Sequence, residues 1–255
     1  MSNAKLALIL AAGNGKRLAS RSGELPKPLV VLNGKPLLEH VIRGSQQAGI
    51  ERFVIVVGYR GHLIQNWLTN SALKHIPVTW IENPEYLKDN GVSVLRARQV
   101  IQEPFLLLMA DHVFEPATAR ALLRQPVHDG EVILAVDKNI DSVFDLDDAT
   151  KVRMHGERIV DVGKNLQLYD ALDTGMFLCT PALFQALERA MFNWNCSLSD
   201  GLRLMARAGN FKGFDIGDAH WQDVDTPEAL DYAKGIFSTT GLRISTQQHD
   251  TYAYV

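Results

Sequence analysis

Two cysteines, Cys179 and Cys196, are all that the 255 residues hold, and their spacing suits no metal site. That excludes a disulfide framework and a thiolate metal centre, and it fits two incidental thiols in a reducing cytosol. No apolar stretch approaches the roughly 18 residues that cross a bilayer, and no signal peptide opens the chain. The expectation is therefore a cytoplasmic chain with no transmembrane segment. Positive charge is not in excess either: the formal net charge is -3, so non-specific nucleic-acid binding is excluded as its business. Internal repeats and low-complexity segments are missing. Two common phosphate-binding fingerprints are missing as well. A dinucleotide loop needs a third glycine where Leu18 stands, and a P-loop needs a Gly-Lys-Ser/Thr run that occurs nowhere.

What is present is a soluble globular balance, 46% hydrophobic and 22% charged, in a chain long enough for one large domain. Its most informative stretch is Leu10-Ala11-Ala12-Gly13-Asn14-Gly15-Lys16-Arg17-Leu18, followed by Pro26-Lys27-Pro28-Leu29. Glycine lets backbone N–H groups approach phosphate oxygens with no Cβ in the way. Arg17 and Lys27 add charge that backbone cannot supply. The combination suits a nucleoside triphosphate, with residues 10–16 as its nucleotide-binding loop. The run resembles the signature of the nucleotidyltransferases that activate sugar phosphates and related phosphorylated alcohols.

Short apolar runs at Leu6–Ala11, Phe53–Val57, Phe105–Met109 and Val132–Val136 are too apolar for one-faced strands. Strands buried on both faces of a parallel sheet read this way. Helix patterns fall between them at 36–49, 63–73 and 92–101. The alternation predicts an α/β fold, a Rossmann-like, open and mostly parallel sheet flanked by helices. The second half changes character, with strands at 151–155, 158–162, 176–180 and 211–216 and helices at 181–191, 198–208 and from Pro227. It reads as a mixed-sheet, acceptor-binding lobe. A single domain over 5–237 is expected, with a nucleotide-binding part at 5–136, an acceptor-binding part at 137–237 and a polar tail at 238–255. Ligands of such sheets bind beyond the carboxyl ends of the strands, where the glycine loop, Gly58 and Asp111-His112 all fall.

Joining a triphosphate to a phosphate ester presents mainly a charge problem. The acceptor phosphate is mostly dianionic at neutral pH and needs no general base. It needs neutralisation, because like unit charges at 4 Å repel by about 4 kcal/mol at an effective dielectric near 20. Carboxylates that hold Mg²⁺ are therefore expected. Asp111 stands at the mouth of a buried strand and is the first candidate; capping the helix near Pro116 is its competing role. Asp223 and Asp225 are two apart, so a strand end turns both to one side, with Asp225 the preferred ligand. Thr226-Pro227 reads as the N-cap and first residue of a helix. For His112, a ligand role and a packing or hydrogen-bonding role stay open. Asn90 and Ser93 border a base or form a turn and N-cap, while Gly58 lies where a base could approach. The acidic run 145–148 is a solvated loop or a partner for a polyol's hydroxyls.

Within the superfamily the chain most resembles inositol-1-phosphate cytidylyltransferases, through Ala110-Asp111-His112, Asp148-Ala149-Thr150-Lys151-Val152, Gly163-Lys164, Asp173-Thr174-Gly175 and Asp223-Val224-Asp225-Thr226-Pro227. The resemblance implies CTP and a phosphorylated alcohol, most of all inositol 1-phosphate, as substrates, Mg²⁺ as cofactor, and a possible homodimer. It implies Arg17, Lys27 and Lys164 as the catalytic cations and Asp148, Lys151, Asp173, Gly175 and His112 as the acceptor-binding set. A turn before a strand is the competing reading of residues 173–175. Other acceptors stay open (phosphocholine, an aminoalkylphosphonate, a sugar 1-phosphate), as do UTP and GTP, and so does a nucleotide-sensing domain without turnover. In the family the domain is joined to a membrane transferase.

Overall fold

In the computed structural model of the chain, residues 4–18 and 25–238 are described, and all but Ser238 of the expected tail lies outside them. In chain order the first half gives β1 (Leu6–Ala11), β2 (Val31–Leu32), β3 (Lys35–Pro36), α1 (Leu37–Ala48), β4 (Arg52–Val57), α2 (Gly61–Asn70) and β5 (Val78–Glu82). Then come α3 (Asn90–Arg96), β6 (Phe105–Met109), β7 (His112–Phe114), α4 (Pro116–Leu123) and β8 (Val132–Asp137). The second half gives β9 (Lys151–His155), β10 (Arg158–Gly163), β11 (Ala171–Cys179), α5 (Ala182–Ala190), α6 (Leu198–Arg207), β12 (Phe211–Asp215), β13 (Trp221–Asp223) and α7 (Pro227–Ile236).

Nine strands form one sheet in the order β5-β4-β1-β6-β11-β8-β12-β10-β9. Strands β5, β4, β1 and β6 run parallel, as the doubly apolar sequences of β4, β1 and β6 imply. The mixed part begins at β11, which is antiparallel to both β6 and β8. The line expected at 136–137 therefore separates no two sheets, since a late strand sits between two early ones. Residues 171–172 of β11 also pair with β9, so at this end the pairing closes on itself through β8, β12 and β10.

Alternation along the strands sorts the core into two layers. Leu8, Phe105, Leu107, Leu134 and Phe177 face one side, where Val94 of α3, Leu183 and Leu187 of α5 and Leu202 of α6 cover them. Ile9, Phe53, Ile55, Leu106, Leu108 and Ile133 face the other, under Leu38, Val41 and Ile42 of α1, Ile64 of α2 and Leu122 of α4. Helix α1 stops at Gly49, whose φ of 113° takes the left-handed cap while its N–H bonds the Ser45 and Gln46 carbonyls. Helix α6 starts on a capping box between Ser197 and Asp200.

A third, smaller cluster positions the segments at the strand ends. Leu18, Val30, Leu32 and Leu37 pack with Val113, Val224, Leu230 and Ala233. It ties the end of the glycine loop to β7, to the segment after β13 and to α7. Strand β5, whose pattern is partly polar, the β2–β3 hairpin and the pairing of β7 with β13 escaped the sequence reading. Helix α3 also ends at Arg96, short of the expected residue 101.

Helix α3 is seated tightly. A Cβ at Gly91 would lie 2.6 Å from the Cys196 carbonyl oxygen and 2.9 Å from the Ser197 carbonyl carbon, both backbone atoms. Gly91→Ala is expected to cost about 1–3 kcal/mol, which lowers the thermal midpoint by several degrees in a chain of this size. An unchanged midpoint in a melting experiment would show that α3 does not bear on residues 196–197.

Candidate active site

A cavity of about 1230 Å³ lies beyond the strand ends, bordered by Leu10, Ala12 and Gly13 after β1, Met109 and Asp111 after β6, and Asp137 to Asn139 after β8. Asn90, Ser93, His112, Asp148, Lys164, Asp173, Gly175, Asp223 and Asp225 also line it. A Cβ on Gly13 would meet no protein atom, so the space over this glycine belongs to the cavity. Gly15 serves otherwise. Its φ is +56°, and a Cβ there would stand 2.6 Å from Cβ of Lys27. The glycine lets the lysine stem stand directly behind the loop. Lys16 lends its backbone to the 3-10 turn Lys16–Leu18.

Lys27 is buried, with 7% of its side chain exposed, and its ammonium meets three carboxylates: Asp111 at 2.6 Å, Asp223 at 3.4 Å, and Asp225. The β7–β13 ribbon explains the convergence. Its register sets His112 opposite Asp223, and the Val224 N–H bonds the Asp111 carbonyl at 3.0 Å. Val224 is buried between two aspartates that turn the other way. Asp111 does not cap α4, whose N-cap is Glu115. Thr226, by contrast, caps α7 by accepting from the Ala229 N–H.

Burial works against charge on Lys27, but Asp111, Asp223 and Asp225 outweigh it and hold the ammonium protonated above its ordinary range. Burial likewise opposes charge on Asp111, and Lys27 and His112 overcome it, keeping this carboxyl well below the usual carboxylate range. The His112 ring, desolvated but facing Asp223 and bonded to Asp111 at 2.9 Å, is pushed up to about 9. It is an imidazolium at neutral pH, stacked on Trp221 with centroids 6.1 Å apart. Gly175, with φ +77°, is required there because a Cβ would collide with the His112 ring.

Arg17 pairs with Asp225 and, at 2.6 Å, with Asp148; Lys164 holds the other Asp148 oxygen at 2.6 Å. The result is an alternating row of charge along the rim: His112, Asp111, Lys27, Asp225, Arg17, Asp148, Lys164. Asp223 lies beside it, 3.4 Å from Lys27 and 3.7 Å from His112. Among the described residues two groupings could hold a cation, Asp111 with His112 and Asp223, and Asp148 with Asp223 and Asp225; within each, the ligand atoms lie no more than 4.8 Å apart.

Several expected positions also have partners within the fold. Ala11 points into the core and Asn14 is absent from the cavity lining. The space above Gly58 is filled by Tyr86, which itself lines the cavity. Lys151 is buried and donates to the Asp147 carbonyl at 2.9 Å, away from the cavity. Asn90 is the first residue of α3, one beyond the N-cap Asp89, and its side-chain oxygen accepts from the Leu198 N–H. The Ser93 hydroxyl accepts from Asn83 at 2.9 Å. Residues 173–175 are no turn; they form an irregularity inside β11. Trp221 and Asp137 were missed: the indole N–H donates to the buried Asp137 carboxylate at 2.8 Å. The only hint was the place of Trp221 two residues before Asp223.

The sequence profile of the MobA-like NTP transferase domain matches residues 7–192. The chain is 39% identical over 227 residues to a "Bifunctional IPC transferase and DIPP synthase" of Rubrobacter xylanophilus, covering 88% of this chain and 50% of that protein. A protein of the same name from Aquifex aeolicus is 33% identical over 242 residues, 93% of this chain and 53% of the relative. The chain thus spans about half the length of the curated relatives it matches. Among solved structures it is similar to the inositol-1-phosphate CTP transferase from T. maritima, at a TM-score of 0.77 and 29% identity, covering 92% of this chain and 98% of that one.

Asp173 gives the site a pH signature. Burial raises its pKa to about 6, although the Gly175 N–H bonds it at 2.7 Å. An unfolded aspartate titrates near 3.9, so between about pH 4 and 6 the folded chain keeps a proton that the unfolded one releases. Stability then falls as pH rises through that window. Asp173→Asn is expected to gain on the parent between pH 4 and pH 7 in urea-unfolding midpoints. Parallel curves for the two proteins would mean that Asp173 ionises without penalty.

Proposed function

This chain belongs to the MobA-like NTP transferase family, and from that premise we propose that it transfers CMP from CTP to a phosphorylated alcohol. The acceptor is inositol 1-phosphate, and the products are CDP-inositol and pyrophosphate. One observation carries the reading: the charged rim of Arg17, Lys27, Lys164, Asp111, Asp223 and Asp225 gathers from distant segments beside one cavity. The naming of CTP and inositol 1-phosphate rests on the likeness to the T. maritima transferase over nearly its full length and on the similarly named relatives.

In this reading Arg17 and the amides around Gly13 hold the β- and γ-phosphates. Lys164, at the cavity wall, and Lys27, behind the carboxylates, offset the charge of the α-phosphate and of the incoming phosphate. The acceptor phosphate attacks as a dianion, so no side chain has to remove a proton. A hard divalent cation suits carboxylate donors, and Asp223, shared by the two groupings, would hold Mg²⁺ with Asp111 or with Asp225. When bound, the ion supplies charge neutralisation between the two reacting anions. We place the reaction in the reducing cytosol, where the buried free thiols Cys179 and Cys196 persist.

Pyrophosphate release with Mg²⁺ is expected from CTP and inositol 1-phosphate and from no other pairing of four nucleotides with a panel of phosphorylated alcohols. Silence with every pair would favour a nucleotide sensor. Arg17→Ala is the cleaner probe of the cations, because Arg17 is half exposed whereas removing Lys27 strands buried carboxylates at about 3–5 kcal/mol. It should cut kcat/KM for CTP by about 100-fold or more with little change in melting temperature. Near-normal turnover in that variant would refute the assignment of Arg17 to the triphosphate.

A further inference from the structure

The segment between β8 and β9, residues 138–150, walls one side of the cavity with Lys138, Ile140, Val143, Asp145, Ala149 and Thr150. Its ends are tied to the rest of the molecule by Lys138 on Asp215, Asn139 on the Gly217 carbonyl and the Asp173 N–H on the Thr150 carbonyl, and its middle is held at two further places. Phe144 stacks on Tyr232 of α7 with ring centroids 4.8 Å apart. Asp148 gives one carboxylate oxygen to Arg17 and the other to Lys164, each at 2.6 Å. These are cations that the proposed function assigns to phosphate, and the inference rests on that reading. A carboxylate that meets two cations with two oxygens makes the same contacts as a phosphate group.

Exposure separates this contact from its neighbour. Lys27 has 7% of its side chain exposed, whereas Arg17 and Lys164 have 52% and 53%, and Asp148 has 30%. Ion pairs so open to water are weak and exchangeable. We propose that Asp148 is an internal occupant of the anion site: it holds Arg17 and Lys164 until a substrate phosphate takes them. The exchange unlatches the 138–150 loop from both cations, while the Phe144–Tyr232 stack keeps it hinged on α7. A phosphate carrying more charge than one carboxylate wins the cations, and the loop opens to the acceptor only after the nucleotide has arrived.

Inorganic pyrophosphate, titrated calorimetrically in a Mg²⁺ buffer, tests the exchange. Asp148→Asn, which removes the competing charge, should bind pyrophosphate roughly three- to tenfold tighter than the parent. Asp148→Ala should go the same way. In the parent, pyrophosphate should speed amide hydrogen exchange across residues 140–149 toward the rate of the free Asp148→Asn variant. Equal or weaker pyrophosphate binding by both variants, no binding by the parent, or slower loop exchange on binding would overturn the proposal. Nucleotidyl transfer by the parent alongside unchanged variant affinities sinks the exchange alone. Tighter variant binding with no transfer for any substrate pair sinks the catalytic reading and leaves the anion exchange standing.

Discussion

The buried Lys27 ammonium is the constraint on which the rim of this sheet depends. A cation with so little water around it is tolerable only when paired, and here Asp111, Asp223 and Asp225 converge on it. Those partners come from separate parts of the chain, and each is held by ordinary packing. Gly15 clears room for the lysine stem. The β7–β13 ribbon sets Asp223 across from His112, and Val224, buried with Leu18, Val30 and Leu230, turns its two flanking aspartates toward the cation. A change at any of these places reaches the ion cluster through backbone position, without touching a charge.

Much of this could be read from the residues because the two signals involved are local. Doubly apolar runs such as Leu6–Ala11 and Phe105–Met109 become strands with those bounds, since helices cover both faces of the sheet they join. Asp111 and the Asp223/Asp225 pair could be found because a carboxylate at a strand mouth has few structural uses. What escaped was set by distant partners. Strand β5 lies at the sheet's edge, so its polar residues carry no penalty and its pattern is faint. The insertion of β11 between β6 and β8 is dictated by no spacing in the chain. Gly58 read as room for a ligand because the sequence shows the missing side chain and not Tyr86, which fills the space. Lys151 entered the acceptor-binding set through the resemblance alone, and its ammonium bonds a carbonyl four residues away.

The charges along the rim explain how one protein can store several cations in a small volume before any substrate is present. His112, Lys27, Arg17 and Lys164 are interleaved with Asp111, Asp225 and Asp148, and Asp223 sits beside them. Cations set close together with nothing between them would repel by several kcal/mol each and would drift apart on flexible stems. Carboxylates placed between them remove that repulsion and fix the stems. The row is graded as well: its inner end, at Lys27, is dry and rigid, and its outer end, at Lys164, is wet and loose. A negatively charged ligand gains most by entering at the wet end, where the resident carboxylate is easiest to replace, and it finds the dry end already in place. A neutral ligand gains nothing from either. In the proposed reading, a preference for anions would arise from the gradient of burial along one row of side chains, whatever molecule carries the charge.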